Sequence, residues 1–250
     1  MPKDDIYIPV QVGKEGTTLD LGYAVDNTGE NISCKNNMYS ELTALYWAWK
    51  NLDSDYIGLV HYRRHFSLKN FLFRKTHKPM ECVLTQNELI PLLEPQTVIV
   101  PKKRKYFIET IKKQYEHTMF EGKEHLNVTR SILADKHPQY VSSFDKVMNK
   151  TSAYMFNMFI MPKTLADSYC TWLFDILFEL EARIDSSEYS DFDKRYLGRV
   201  SERLLNVWLA SNNVKTKEIG RIDLWKVNYV KKASLYLLSK FFYRKYRMSS

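Results

Sequence analysis

The segment YIGLVHYRRHF, residues 56–66, sets four bulky polar groups, His61, Tyr62, Arg63 and Arg64, directly after a short apolar run. A run of that length and composition predicts a buried strand over 56–60. Guanidinium groups fixed at a strand end can grip a phosphate through parallel N–H bonds, each charge-assisted bond contributing about 1.5–3 kcal/mol. His61 can donate to the same anion or carry a proton. A second segment, VPKKRKYF at 100–107, ends another predicted strand in Lys102, Lys103, Arg104 and Lys105. Solvated surface charge is the plain reading of either cluster alone. Two strands of one sheet ending in cations point instead to a shared anion site, with Arg63, Arg64, Lys102 and Lys103 holding a phosphate-bearing ligand.

DNTGENISCKNN, residues 26–37, is made of turn formers and short polar side chains, and reads as a capped loop entering a helix at Met38. A functional reading is compatible with it, in which Asp26, Asn27, Glu30 and Asn31 hydrogen-bond sugar hydroxyls or a base edge. Tyr115 and His117 follow on a predicted helix, where His117 is either structural or an acceptor-side hydrogen-bonding group. No GxGxxG, Walker, HExxH, GxSxG or kinase motif is present. Asp191-Phe192-Asp193 falls between helices, a weak place for a metal ion.

These groups need a scaffold. Apolar runs predict strands at 6–12, 56–60, 97–101 and 154–161. Leu42, Leu45, Tyr46 and Trp49 recur at helical spacing, with Asn36 or Asn37 as N-cap; Tyr169 to Leu180 and Arg195 to Ala210 predict further helices. Strands alternating with helices predict an α/β fold, a sandwich whose sheet is at least partly parallel, with ligands beyond the carboxyl ends of the strands. His61 to Arg64 occupy such an end.

The chain has 250 residues, 44% hydrophobic and 26% charged, enough apolar material for one packed domain over residues 1–225. Three well-separated cysteines without CxxC spacing predict neither a zinc site nor a disulfide framework and fit a reducing cytoplasm. The N-terminus lacks an apolar signal region, and no stretch has the roughly 18 apolar residues of a spanning helix. Net charge is +8, but seven of the 37 Lys and Arg and none of the 29 Asp and Glu follow Trp225, leaving 30 basic against 29 acidic groups before it. A near-neutral body excludes a broad nucleic-acid groove. Residues 226–250 instead read as a flexible basic tail or an amphipathic helix on an anionic membrane surface.

NISCKNNMYSELTALYWAWKNLDSDYIGLVHYRRHFS, together with VPKKRKYFIET, SAYMFNMFIMPK, YCTWLFDILFELE and SERLLNVWL, closely resembles the domain of unknown function 4422 family of capsular and exopolysaccharide gene clusters. The likeness covers residues 4–225. It implies a glycosyltransferase of variant GT-A architecture, a nucleotide-sugar-binding α/β/α sandwich with a mixed, mostly parallel sheet. Relatives transfer galactofuranose from its UDP form, which implies an inverting hexosyltransferase of capsule, exopolysaccharide or O-antigen synthesis. Its partners would be a UDP-sugar and a lipid-linked or growing polysaccharide acceptor, at the inner leaflet of a bacterial membrane. A non-catalytic nucleotide- or carbohydrate-binding subunit of a biosynthetic complex is the alternative.

Ordinary GT-A enzymes end the matching strand on two aspartates that hold a metal against the donor diphosphate; here His61 and Arg63 stand at those positions. The resemblance therefore implies that cations replace an obligatory Mg or Mn ion, with His61 and Arg63 in the catalytic set. By further likeness, MFNMFIM places Asn157 near the sugar and SERLLNVWL places Glu202 on the acceptor side as general base, with Asp26 and Glu30 behind it. Relatives carry one more short strand ahead of PKDDIYIPVQVG; this sequence starts without it, which predicts a truncated N-terminus or an incomplete nucleotide pocket.

Overall fold

The computed structural model describes residues 2–225; the basic segment 226–250 lies outside them. Along the chain run β1 (Val10–Gln11), β2 (Ala24–Val25), α1 (Asn36–Tyr39), α2 (Leu42–Asn51), β3 (Tyr56–Leu59), β4 (Arg64–Ser67), α3 (Phe71–Thr76), α4 (Gln86–Leu89) and β5 (Thr97–Pro101). They are followed by β6 (Arg104–Lys105), α5 (Ile111–Thr118), α6 (Gly122–Lys136), α7 (Val141–Met148), β7 (Ser152–Ala153), β8 (Phe159–Pro162), α8 (Lys163–Arg183), α9 (Tyr196–Ser211) and β9 (Lys215–Asp223).

The central sheet has the order β3-β8-β5-β9-β4. It is mixed: β5 pairs β9 in parallel, whereas β3 with β8, β8 with β5, and β9 with β4 are antiparallel. The sandwich expected from the sequence is present, with the balance of the central sheet running to antiparallel pairs and not to parallel ones. Two-residue alternation divides the strands between two apolar layers. Val98, Val100, Phe159 and Met161 face the main core with α2, α8 and α9, while Ile99, Met158 and Ile219 face a smaller core with Phe66, Leu84 and Leu89. Trp208, Tyr169 and Leu173 are fully buried in the main core, each such side chain contributing on the order of 1.5–3 kcal/mol.

Three local departures from the sequence reading shape the site. IYIPVQV at 6–12 forms only the two-residue β1; Pro9 has no N–H for a ladder, and the rest of the segment finds no partner strand. The helix expected from Met38 to Trp49 is cut in two at Ser40, whose φ is +53°. Asn36 is the first residue of α1, not an N-cap, and it bridges the cut: its Nδ2 donates to Ser40 O at 2.9 Å and Thr43 Oγ1 at 3.2 Å. The run 154–161 is likewise broken, because Phe156 and Asn157 both have positive φ, +74° and +50°. Among the described residues no helix is long and apolar enough to cross a membrane.

Candidate active site

His61 N donates to Arg64 O and Arg64 N to His61 O, both at 3.1 Å, so residues 61–64 close a turn that carries the chain from β3 into β4. Arg64 is buried, its Nε 3.4 Å from Asp223 Oδ1 and its guanidinium carbon 4.3 Å from the Phe156 ring centre. Burial and the neighbouring Arg63 charge pull its pKa below the usual arginine value, opposed by Asp223 and Glu202. His61 reaches across from the turn and donates through Nε2 to Phe156 O.

That contact secures the most strained backbone of the site. Two successive non-glycine residues in the left-handed region cost about 1–3 kcal/mol each and persist only where side chains over-determine them. Phe156 N donates to Glu202 Oε1 at 3.1 Å. Asn157, buried, donates from Nδ2 to Glu41 Oε1 at 2.9 Å and to Gly198 O at 3.0 Å, and accepts from Ser201 Oγ at 3.0 Å. The turn is thus bolted to α9 and to the residue that opens α2.

The two carboxylates at this junction differ. Glu202, expected to be the base, has both oxygens committed: Oε1 holds Phe156 N, and Oε2 accepts from Arg203 Nη1 at 2.8 Å. Glu41, not singled out from the sequence, uses Oε1 for Asn157, and among the described residues its Oε2 accepts no hydrogen bond. Its side chain is 24% exposed against 16% for Glu202, and His61 Nε2 lies 3.9 Å away. Of the pair, Glu41 keeps the greater free acceptor capacity and the greater exposure, which suit it better to take a proton.

Both line a cleft of about 770 Å³ that runs along β3 and past its end at residues 60–64, and six arginines line it: Arg63, Arg64, Arg104, Arg195, Arg199 and Arg203. Arg64 is compensated by Asp223; Arg203 is compensated by Glu202 and also donates to Gln114 Oε1 at 2.8 Å. Arg63, Arg104, Arg195 and Arg199 form no ion pair among the described residues. Arg199 packs its guanidinium carbon 4.2 Å from the Phe192 ring centre, and its buried Nε has no hydrogen-bond partner there. Burial lowers its pKa, Glu202 raises it and Arg203 lowers it further. Guanidinium groups without an ion pair, lining one cleft, give it a positive potential that an anion would complete.

The remaining expected residues fall outside this wall. Lys102 and Lys103 do not line the cleft; Lys103 lies 4.0 Å from Glu218 Oε1 and 4.8 Å from the Tyr154 ring centre. Pairing of β6 with β7 fixes the alternation of that run, and Arg104 is its member on the cleft side. His117 on α5 pairs with Glu109 at 3.1 Å and does not line the cleft. Residues 26–31 are spent on their own loop. Asn27 donates to Glu15, Asn31 Nδ2 donates to Gly29 O, and Glu30 accepts from Tyr46 Oη at 2.7 Å and pairs with Lys50. The Tyr46 bond, then Lys50, lowers the Glu30 pKa.

Asp26 is fully buried and accepts from Gly13 N at 2.8 Å, Lys14 N at 3.1 Å and Ser33 Oγ at 2.5 Å. It staples β1 to the loop. Asp26→Ala leaves three donors without an acceptor and is expected to cost about 2–4 kcal/mol, lowering the thermal midpoint by about 5–15 °C. Ligand affinity of the folded fraction is expected to hold; a melt with a binding titration checks both, and a binding loss at unchanged stability would return Asp26 to the ligand site.

Residues the sequence reading missed left a signal. Arg195, Arg199 and Arg203 are spaced by four, which puts them on one face of the helix that α9 forms. Glu41 had none beyond its place before a helix. Among the described residues no group of three His, Cys, Asp or Glu side chains gathers to hold a metal ion.

The fold has a solved likeness. A WbbM bifunctional glycosyltransferase, determined in its apo form, superposes with a TM-score of 0.79 at 28% identity, covering 90% of this chain and 43% of that one. The chain thus spans under half the length of that protein. No curated protein matches it. The family model described as a domain of unknown function (DUF4422) matches residues 1–213, which takes in the turn at 61–64, Glu41, the strained turn at 156–157 and the arginines of α9. The chain belongs to the domain of unknown function 4422 family.

Proposed function

We propose that the chain is a glycosyltransferase of polysaccharide synthesis, moving a sugar from a nucleoside diphosphate donor to a glycan acceptor. The observation that carries this reading is the set of four guanidinium groups without an ion pair among the described residues, Arg63, Arg104, Arg195 and Arg199, lining one cleft beside a carboxylate with an open oxygen. Likeness to a bifunctional glycosyltransferase supports it. The acceptor hydroxyl oxygen attacks the anomeric carbon while Glu41 takes its proton, and the bond from that carbon to the diphosphate oxygen breaks. Negative charge then grows on the β-phosphate, where preorganised guanidinium groups in a partly dry cleft stabilise it more than they stabilise the bound donor. Glu202 and His61 act by holding the Phe156 turn, which carries the aromatic ring packed on Arg64. UDP as the nucleotide, galactofuranose as the sugar, inversion and a lipid-linked acceptor belong to the same proposal, on the strength of the family resemblance.

Guanidinium groups stand in this scheme where a divalent ion would neutralise the diphosphate. Turnover of a panel of UDP-sugars, with a lipid-linked oligosaccharide acceptor, is expected to continue at an unchanged rate in EDTA. A rate lost in EDTA and restored by Mg or Mn would overturn the cation scheme. Donor binding without turnover on any acceptor would favour a binding subunit over an enzyme.

A further inference from the structure

Phe107 and Ile108 stand on the surface, 83% and 77% exposed, directly after the run Lys102-Lys103-Arg104-Lys105, all four of which are exposed. Adjacent large apolar side chains at such exposure give the fold no burial energy. Their position is nevertheless fixed. Phe107 sits in the left-handed region at φ +56°, which L-residues avoid, and the segment is pinned by Tyr106 N to Thr151 O at 2.8 Å and Ile111 N to Lys150 O at 2.8 Å. A backbone held in an unfavourable conformation to present two apolar groups to solvent indicates a surface that something else covers.

Charge identifies what covers it. Lys102, Lys103, Arg104 and Lys105 precede the apolar pair with only Tyr106 between, and Lys113 and Lys150, near the bonds that pin the segment, are exposed. Arg104 and Tyr106 of the same segment line the cleft, as does Tyr62, whose ring packs edge-on against Trp225 at 5.1 Å. Tyr62 and Trp225 are both more than half exposed, and tyrosine and tryptophan favour the bilayer interface. In sequence, Trp225 leads directly into residues 226–250, with seven Lys and Arg and no acid.

We propose that residues 102–108 form a membrane-docking loop, in which Phe107 and Ile108 enter the interfacial layer of an anionic bilayer and Lys102, Lys103 and Lys105 bind its headgroups. Tyr62 and Trp225 then lie near the same interface, and the cleft opens toward the membrane. The purpose of that orientation rests on the glycosyltransferase reading: a lipid-linked acceptor would present its sugar at the cleft without leaving the bilayer.

The test uses the full chain and needs no turnover, so its failure leaves the transferase reading standing and a failed transferase assay leaves it interpretable. Co-sedimentation is measured with phosphatidylcholine vesicles containing phosphatidylglycerol and with pure phosphatidylcholine vesicles. Wild type is expected to bind the anionic vesicles only. The double variant F107S/I108S, at an unchanged thermal midpoint, is expected to bind at least about tenfold more weakly. The triple variant Lys102→Gln, Lys103→Gln and Lys105→Gln is expected to lose about fivefold per charge removed. Phe107→Trp is expected to gain fluorescence that brominated lipid quenches. Wild-type binding by both multiple variants, with no quenching of Phe107→Trp, would overturn the proposal and leave binding to the basic tail; no vesicle binding, with association of the chain with itself, would assign the patch to a protein contact.

Discussion

Arg199→Ala is expected to lower kcat/KM for the sugar donor by about 10²-fold or more while leaving the folded chain as stable as wild type, or slightly more so. The two halves of this result have one cause. Arg199 is a half-buried cation whose Nε has no partner; Glu202 and the Phe192 ring offset part of its desolvation and the like charge of Arg203 adds to it, so the fold bears a net cost at this position. A diphosphate supplies the missing partner, through charge-assisted bonds of about 1.5–3 kcal/mol each, which strengthen as negative charge builds on the leaving group. Arg199→Lys is expected to recover part of the loss, since an ammonium keeps the charge but not the planar fork. Arg63→Ala, at the tip of the turn, is expected to follow the same pattern. Donor-dependent kinetics beside a thermal melt decide it: lost stability with unchanged kinetics would make Arg199 a structural residue and remove the main support for an anion cleft.

What the sequence made legible was whatever depended on short-range pattern. β3, β5, α8 and α9 follow from apolar runs and helical spacing that tertiary contacts do not contradict, and the cations of 61–64 could be placed at a strand end because an apolar run stops there. The turn at Phe156 and Asn157 could not be read in the same way. MFNMFIM is apolar on both sides of the break, and what imposes positive φ is supplied by Glu202, 46 positions away, and His61, 95 positions away. Glu202 was visible as a carboxylate on a helix, but its role depends on where its two oxygens go, which only the packing of α9 against that turn fixes. Asp26, Asn27, Glu30 and Asn31 show the converse. Their residue types fit a sugar site and a self-bonded loop alike, and the structure adds the loop bonds that the sequence could not specify. The spacing of Arg195, Arg199 and Arg203 lay within the reach of sequence reading, whereas their place along one cleft emerges only from the packed structure.

Glu41→Gln is expected to reduce kcat by about 10²–10⁴-fold with donor affinity nearly unchanged, the signature of a lost proton acceptor at a retained binding site. The substitution is conservative toward the scaffold: the glutamine carbonyl oxygen can still accept from Asn157 Nδ2, so the 156–157 turn keeps its tie to α2. Glu202→Gln serves as the contrast. It removes the negative partner of the buried Arg203 guanidinium and weakens the acceptor for Phe156 N, so it is expected to destabilise the fold by about 2–4 kcal/mol. Any kinetic loss there should accompany weaker donor binding, because the turn carries the ring against which Arg64 packs. Measured kcat, donor affinity and thermal midpoint for the two variants separate a carboxylate that moves a proton from one that holds a turn. The reverse outcome, with Glu202→Gln silent in stability but dead in kcat and Glu41→Gln fully active, would return the base to α9. The acceptor would then have to approach from the Arg203 side of the cleft, where the charge of the arginine competes with the proton for the carboxylate.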